Sequence, residues 1–251
     1  MILYEHPFNE RIRTYLRLEH LYARLHEMIL RETVTDHHFA LCTLFEIMDV
    51  AGRAELKTDV LKDLDKQKNI LMSFRGNPAI DEAALNSVIG DLDQCFQNLS
   101  QTSGRMGSQL SESDWLMAVR SRASIPGGTC SFDLPAYFAW QHAAAAFRQA
   151  DLKPWVDSLQ PMNTAVALLM RLIRDSGAPQ KMVAAAGQFQ QYLPQGKTYQ
   201  LLRVSLDEGM GIVPEISVNR LLVTARFTHF SVTERSRQTA QDVAFELTLC
   251  H

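Results

Sequence analysis

The hydrophobic period of this 251-residue chain changes once, near Pro179, and that change limits the possible folds more than any other feature of the sequence. Before it, apolar residues recur every three or four positions; after it they fall in short runs broken by Asp, Gly, Asn and Ser. The first pattern buries one face of a helix, the second one face of a strand. Leu18, Leu21, Tyr22, Leu25, Met28 and Ile29 share a helical face behind Asn9 as N-cap. Leu41, Leu44, Phe45 and Met48 share another, with Thr35 or Asp36 as cap and Gly52 as stop. The strand-like runs, 201–206, 212–218, 221–227 and 243–249, are spaced as an antiparallel meander. Arg203, Glu215, Arg226 and Glu246 lie inside them, so the sheet keeps a solvated face. Ile2-Leu3-Tyr4, ended by His6-Pro7, reads as a lone strand that must join this sheet to satisfy its backbone.

Two central segments carry narrow apolar stripes. Leu61, Leu64 and Leu71 lie on one face among charged neighbours; Leu85, Ile89, Leu92, Phe96 and Leu99 follow a four-three-four-three rhythm. That rhythm is the a/d seam of a coiled coil, and the turn at Gly76-Asn77-Pro78 between the two implies an antiparallel hairpin. Such a hairpin either pairs with that of a second copy or buries against the first two helices. The polar stretch 100–113 is a connection, followed by a short helix over 114–122 and a turn at Ile125-Pro126-Gly127-Gly128. Asp133 is expected to cap a helix opening at Leu134-Pro135; further helices contain Ala143–Ala146 and span about 163–175. The fold class is therefore α+β: a mostly helical domain with a long antiparallel hairpin, and a domain with an antiparallel β-sheet. The helical domain is expected at 22–115, and residues 1–21 and 116–251 are expected to form the discontinuous second one.

Composition excludes several classes of function. A chain 46% hydrophobic and 21% charged can build a core. With 25 basic against 28 acidic residues, net charge -3, it is not a general nucleic-acid binder. No signal-like segment opens the chain and no apolar run approaches about eighteen residues, which predicts a soluble, cytoplasmic protein that does not enter membranes. Cys42, Cys95, Cys130 and Cys250 form no CxxC pair. Phosphate-loop, HExxH and GxSxG motifs are absent, and Gly209-Met210-Gly211 lacks the third glycine and the helix of a dinucleotide fingerprint. His37 and His38 are adjacent, so a helix points them about 100° apart. No cofactor or metal is expected. Cys130, Asp133 and His142 compose the one nucleophilic arrangement available, that of a small hydrolase-like enzyme, although capping already accounts for Asp133.

The basic residues are more informative. Arg13 and Arg17 stand one turn apart on the first helix; Arg120 and Arg122 precede the IPGG turn. Arg220 and Arg226 lie an even number of positions apart, so an unbulged strand points both to one face. Gathered in one groove, these side chains suit a peptide carrying carboxylates. The alternative is a scatter of surface arginines paired with Glu5, Glu10, Glu19 and Glu215.

The opening YEHPFNERIRTYLRLE (residues 4–19) resembles the start of the ZapD family of bacterial cell-division proteins. The segments ELKTDVLKDLDKQ (55–67), RASIPGGTCSFDLP (122–135) and PEIS (214–217), with FEL (245–247), agree in order and spacing. The resemblance implies a cytoplasmic, non-enzymatic partner of FtsZ, the tubulin-like division GTPase. Family members are homodimers that bind the C-terminal tail of FtsZ, bundle its filaments and support septation at the midcell ring. It also implies a helical domain beside one with an antiparallel sheet, and tail binding by basic residues in a groove between them. Arg13 matches that set within the opening motif. Two family basic positions fall at Phe138 and Leu222 here, with His142 and Arg220 the nearest replacements. Arg13, Arg17, Arg120, Arg122, His142, Arg220 and Arg226 are thus the expected partner-binding residues.

Overall fold

Asn9 starts the first helix as its position predicts: its Oδ1 accepts a hydrogen bond from the Ile12 N–H at 3.0 Å. The computed structural model describes residues 1–251. They divide into two compact units, residues 16–169 and residues 1–15 with 170–251. The helices between 116 and 169, grouped above with the sheet, cluster here with the hairpin.

The helical unit begins within α1 (Glu10–Leu30) and continues through α2 (Val34–Ala51). The cap of α2 is Thr33, not Thr35 or Asp36; its hydroxyl oxygen accepts from Asp36 N–H at 3.1 Å. Both alternatives lie inside the first turn, two and three residues too late to reach the free amides. Gly52 ends the helix as expected, its N–H donating to the Met48 carbonyl at 2.9 Å. Helices α3 (Leu56–Met72) and α4 (Glu82–Gln101) form the hairpin. Contacts of Lys57 with Thr102, Lys68 with Asp93 and Arg75 with Asn86 run in opposite chain directions, as an antiparallel pair requires.

The stripes bury against each other with a shifted membership. Leu56, Val60 and Leu64 face Leu85, Ile89, Leu92, Cys95 and Leu99; Leu61 and Leu71 are half-buried, and Phe96 is 37% exposed. A straight helix drifts about 20° per heptad from the 3.5 repeat. By the third turn Cys95 has replaced Phe96 in the seam.

A 3-10 turn (Gln109–Glu112) leads into α5 (Asp114–Ala123), α6 (Pro135–Gln141) and α7 (Ala145–Asp175). Asp133 does not cap α6: Leu134 holds that position without a side-chain bond, while Asp133 lies 3.9 Å from Arg122. The helices expected at 143–146 and 163–175 are one 31-residue helix containing Pro154 and Pro161. Each proline removes a donor to the carbonyl four residues back and costs about 3 kcal/mol. Burial of Leu152, Val156, Leu159 and Met162 holds the helix through both positions. No helix is long and apolar enough to cross a membrane.

The second unit replaces the expected single meander with two four-stranded antiparallel assemblies. In one, β1 (Ile2–Pro7) pairs β4 (Leu201–Leu206), which pairs β8 (Val243–Cys250), which pairs β2 (Gln180–Ala184). The N-terminal strand therefore does join a sheet. In the other, β6 (Leu222–His229) lies between β3 (Gln188–Tyr192) and β5 (Ile212–Val218), and β7 (Arg237–Gln238) also pairs β6. Leu202, Val204 and Leu247 of the first and Val223, Phe227 and Ala225 of the second share one core. Strands β2 and β3 carry no apolar alternation strong enough to announce them; QFQQY turns only Phe189 and Gln191 inward.

Ala186 and Gly187, both at positive φ, join β2 to β3. A Cβ on Gly187 would stand 2.6 Å from the Thr239 carbonyl oxygen, whereas one on Gly90, inside α4, would meet nothing within 4 Å. Gly187→Ala is therefore expected to lower stability by about 2 kcal/mol, and Gly90→Ala to raise it by about 1 kcal/mol. Urea denaturation followed by circular dichroism measures both, and equal effects at the two sites would contradict the assignment.

Candidate functional site

The expected basic residues belong to both units. Arg13, Arg220 and Arg226 lie in the sheet unit; Arg17, Arg120, Arg122 and His142 lie in the helical one. Their availability differs. Arg120 is held by Asp49, and Arg122 stands 3.9 Å from Asp133. Arg13 has only a 3.6 Å contact with Glu10 on its own helix, with both side chains well exposed. Such exposed pairs are worth about 0–1 kcal/mol and exchange readily. Arg17, Arg220 and Arg226 are exposed and make no ion pair. Burial and the neighbouring Arg13 charge together hold the His6 imidazole below its ordinary pKa.

Arg220 is not on a strand, so the two-face argument that joined it to Arg226 does not apply. It sits at the tip between β5 and β6, where Asn219 Oδ1 accepts from Leu221 N–H at 2.8 Å and Leu222 N–H at 2.9 Å. That side-chain turn chemistry is what the strand reading over 221–227 overlooked.

Arg226 has a different setting. In register it stands between Gln188 on β3 and Glu215 on β5, with Gln190, Thr224 and Ser217 in the next row. These side chains line the outer face of the second sheet, an open concavity of about 470 Å³. Glu215 and Arg226 form no salt bridge despite their register, so a guanidinium and a carboxylate both remain available there. The alternating exposure of β3 and β6 places this polar row opposite the core row of Val223, Ala225 and Phe227.

In the helical unit the IPGG segment has a local explanation. Gly127 takes φ +69° behind Pro126, and Gly128 N–H donates to the Ile125 carbonyl at 2.9 Å, the pattern of a type II turn. Beyond it, the His142 ring lies 4.4 Å from that of exposed Phe138, and its Nδ1 is 2.8 Å from the Phe138 carbonyl oxygen. No side-chain hydrogen bond links Cys130, Asp133 and His142, and only the Asp133 backbone N–H reaches the Cys130 carbonyl, so the hydrolase-like arrangement is not assembled. No group of three His, Cys, Asp or Glu side chains is placed to hold a metal ion.

Sequence reasoning missed the most heavily bonded polar side chain of this unit. Arg148 is 4% exposed and has no carboxylate partner. Its Nε donates to His37 Nδ1 at 2.8 Å, one terminal nitrogen to the Glu32 carbonyl at 2.7 Å, and the other to the Gln141 and Ala143 carbonyls. Because arginine cannot accept, His37 must be neutral with its proton on Nε2, which donates to the Arg31 carbonyl at 2.8 Å. Beside it, Tyr137 Oη bonds His38 Nδ1 at 2.7 Å. Trp115, Trp140 and Trp155 surround this region, with Trp115 5.5 Å from Trp140 and 5.7 Å from Trp155. In the sheet unit a comparable tie joins Glu5 to Arg174 through two 2.8 Å bonds, with Arg203 Nε 3.2 Å away on the paired strand. That last contact is ionic, its angle falling outside hydrogen-bond geometry.

Arg148→Met keeps the stem but strands His37 Nδ1 and three carbonyls, so it should cost about 3 kcal/mol. The chain's three tryptophans all lie in this unit, so tryptophan emission in a urea titration reads the loss directly. An unchanged midpoint would show that the bonds contribute nothing.

A family model described as cell division protein ZapD matches residues 16–226. The chain is 50% identical over 252 residues to a Ralstonia pickettii protein named cell division protein ZapD, the alignment covering 100% of both chains. A protein of that name from Ralstonia nicotianae is 49% identical over 252 residues, again covering 100% of both. One from a Janthinobacterium species is 46% identical over 250 residues, covering 100% of this chain and 99% of that protein.

Proposed function

The chain belongs to the ZapD family of cell division proteins, and we propose that it works there as a non-enzymatic homodimer that binds the C-terminal tail of FtsZ and cross-links FtsZ filaments at the midcell ring. The observation that carries this reading is similarity over the entire length, at about half of all positions, to proteins that bear the family name. The chemistry agrees with an acidic peptide as ligand. Arg17, Arg220 and Arg226 carry uncommitted positive charge at exposed positions, and Arg13 gives up only a weak local contact. Arg120 and Arg122 would first have to leave Asp49 and Asp133, so they are the weaker contributors. The polar concavity around Arg226 offers amide and hydroxyl partners beside the guanidinium. At the departures Phe138 and Leu222, His142 and Arg220 are the nearest basic residues in the sequence.

A disordered tail must be ordered on binding, so one site holds it weakly, with a Kd on the order of micromolar. A dimer presents two sites, and its second engagement is effectively intramolecular. Ion pairing makes the association weaken as salt is raised.

Arg13→Glu combined with Arg220→Glu is expected to abolish co-sedimentation with FtsZ filaments, while a protein lacking the substitutions pellets only when FtsZ retains its tail. Undiminished bundling by the double variant would remove this reading. The dimer seam is not open to a test at the a/d positions of the hairpin. Leu85, Ile89 and Leu92 are buried within their own hairpin, so charges there would unfold it. Ile70→Glu with Phe96→Glu alters exposed positions on the hairpin instead. It should leave tail binding intact and lose bundling, and a variant still dimeric in sedimentation would move the seam elsewhere.

A further inference from the structure

We infer that His37 and Arg148 form an acid-sensitive latch that holds the corner between α6 and α7, the segment carrying His142, against α2 and the loop before it. The latch rests on geometry. Arg148 spans three places at once: His37 on α2, the Glu32 carbonyl before α2, and the Gln141 and Ala143 carbonyls at the corner. Only His37 among these partners can change its charge near neutral pH.

The two imidazole nitrogens have fixed and opposite duties. Nε2–H donates to the Arg31 carbonyl, and Nδ1 accepts from Arg148 Nε. A proton on Nδ1 would place two donors and two positive charges 2.8 Å apart. Protonation and the Arg148 bond are therefore mutually exclusive. His38 is unlike its neighbour, because its partners, the Tyr137 hydroxyl and the Cys42 thiol, can each donate or accept and adapt to an added proton.

The groups facing His37 come from each packed element. From α7 comes the Arg148 guanidinium, and Gln149 bonds the Ile29 carbonyl at 2.9 Å. From α6 comes the Trp140 ring, 6.5 Å away, whose indole N–H is taken by Asp151 at 3.0 Å. The stretch before and within α2 supplies the Arg31 carbonyl and the Asp36 carboxylate, itself held by Thr33 at 2.6 Å and Arg31 at 3.5 Å. Burial is the largest influence and lowers the His37 pKa; the Arg31 carbonyl opposes it, the Arg148 charge lowers it further, and the Ile29 carbonyl and Asp36 oppose more weakly.

The sign follows. The unfolded chain binds a proton at His37 below its ordinary value near about 6.5, and the latched form binds it only at lower pH. The latch is at full strength above that value and weakens as pH falls toward the depressed folded pKa. Any consequence for partner binding at His142 rests on the tail-binding reading; the latch does not.

Hydrogen–deuterium exchange on the full chain from about pH 7.5 to about pH 5, corrected for intrinsic rates, tests it. Amides of 141–148 should lose protection by about tenfold or more across that range, with a parallel change in tryptophan emission. His37→Gln keeps an acceptor and a donor without a titrating group, so its protection should stay flat. Flat exchange in the unsubstituted chain, an identical loss in His37→Gln, or a loss spread evenly over residues 16–169 would each overturn the latch. Should His37→Gln not fold, the His37 ring followed by NMR decides: titration at or above the ordinary value overturns it. No arm contains FtsZ, so failure here is distinct from failure of the tail-binding reading.

Discussion

The helical unit depends on one buried guanidinium. Arg148 carries a full charge at 4% exposure with no carboxylate to neutralise it. Four neutral acceptors surround it instead, the nitrogen of His37 and the carbonyls of Glu32, Gln141 and Ala143. A buried charge without such partners costs several kcal/mol, so the chain can close only in the arrangement that supplies them. The corner after α6 cannot be helical throughout, because its carbonyls are needed by Arg148. The same bonds choose the His37 tautomer. Stability, backbone path and a proton's position thus share one cause.

The sheet unit solves a similar problem with opposite charge. Glu5 on β1 accepts both bonds of Arg174 from α7 and faces Arg203 across the strand pair. The tie anchors a strand at the edge of its sheet, where only β4 supports it. It also joins the N-terminal segment to the last turn of α7, across 169 residues of sequence. Around it, the two assemblies hide their inner rows in a common core and leave the outer row of Gln188, Arg226 and Glu215 to solvent.

Against these committed charges, three of the seven residues proposed to meet FtsZ stand apart. Arg17, Arg220 and Arg226 are exposed and make no ion pair, so their guanidinium groups are open to a partner. The net charge of -3 is silent on this, since recognition of an acidic tail needs only a few local guanidinium groups. FtsZ is proposed from family membership and not from geometry.

What the sequence determined by itself follows from local physics. The period change near Pro179 separated helices from strands, Asn9 and Gly52 marked helix ends, and the order of short motifs pointed to the family. Helix ends with ambiguous neighbours, such as Thr33 against Thr35 and Asp36, were decided by which oxygen reaches a free amide. Only the tertiary structure decided the rest. It carried α7 through two prolines, because burial on both sides outweighs the lost bonds. It split one expected meander into two sheets, because β4 pairs β1 and β8 rather than the β5 that follows it, and the weakly patterned β2 and β3 add to one sheet each. It moved Arg220 off the strand and drew Arg148 to His37 across 111 residues. No local pattern encodes such meetings: a long-range bond is chosen by the energy of the whole packed unit.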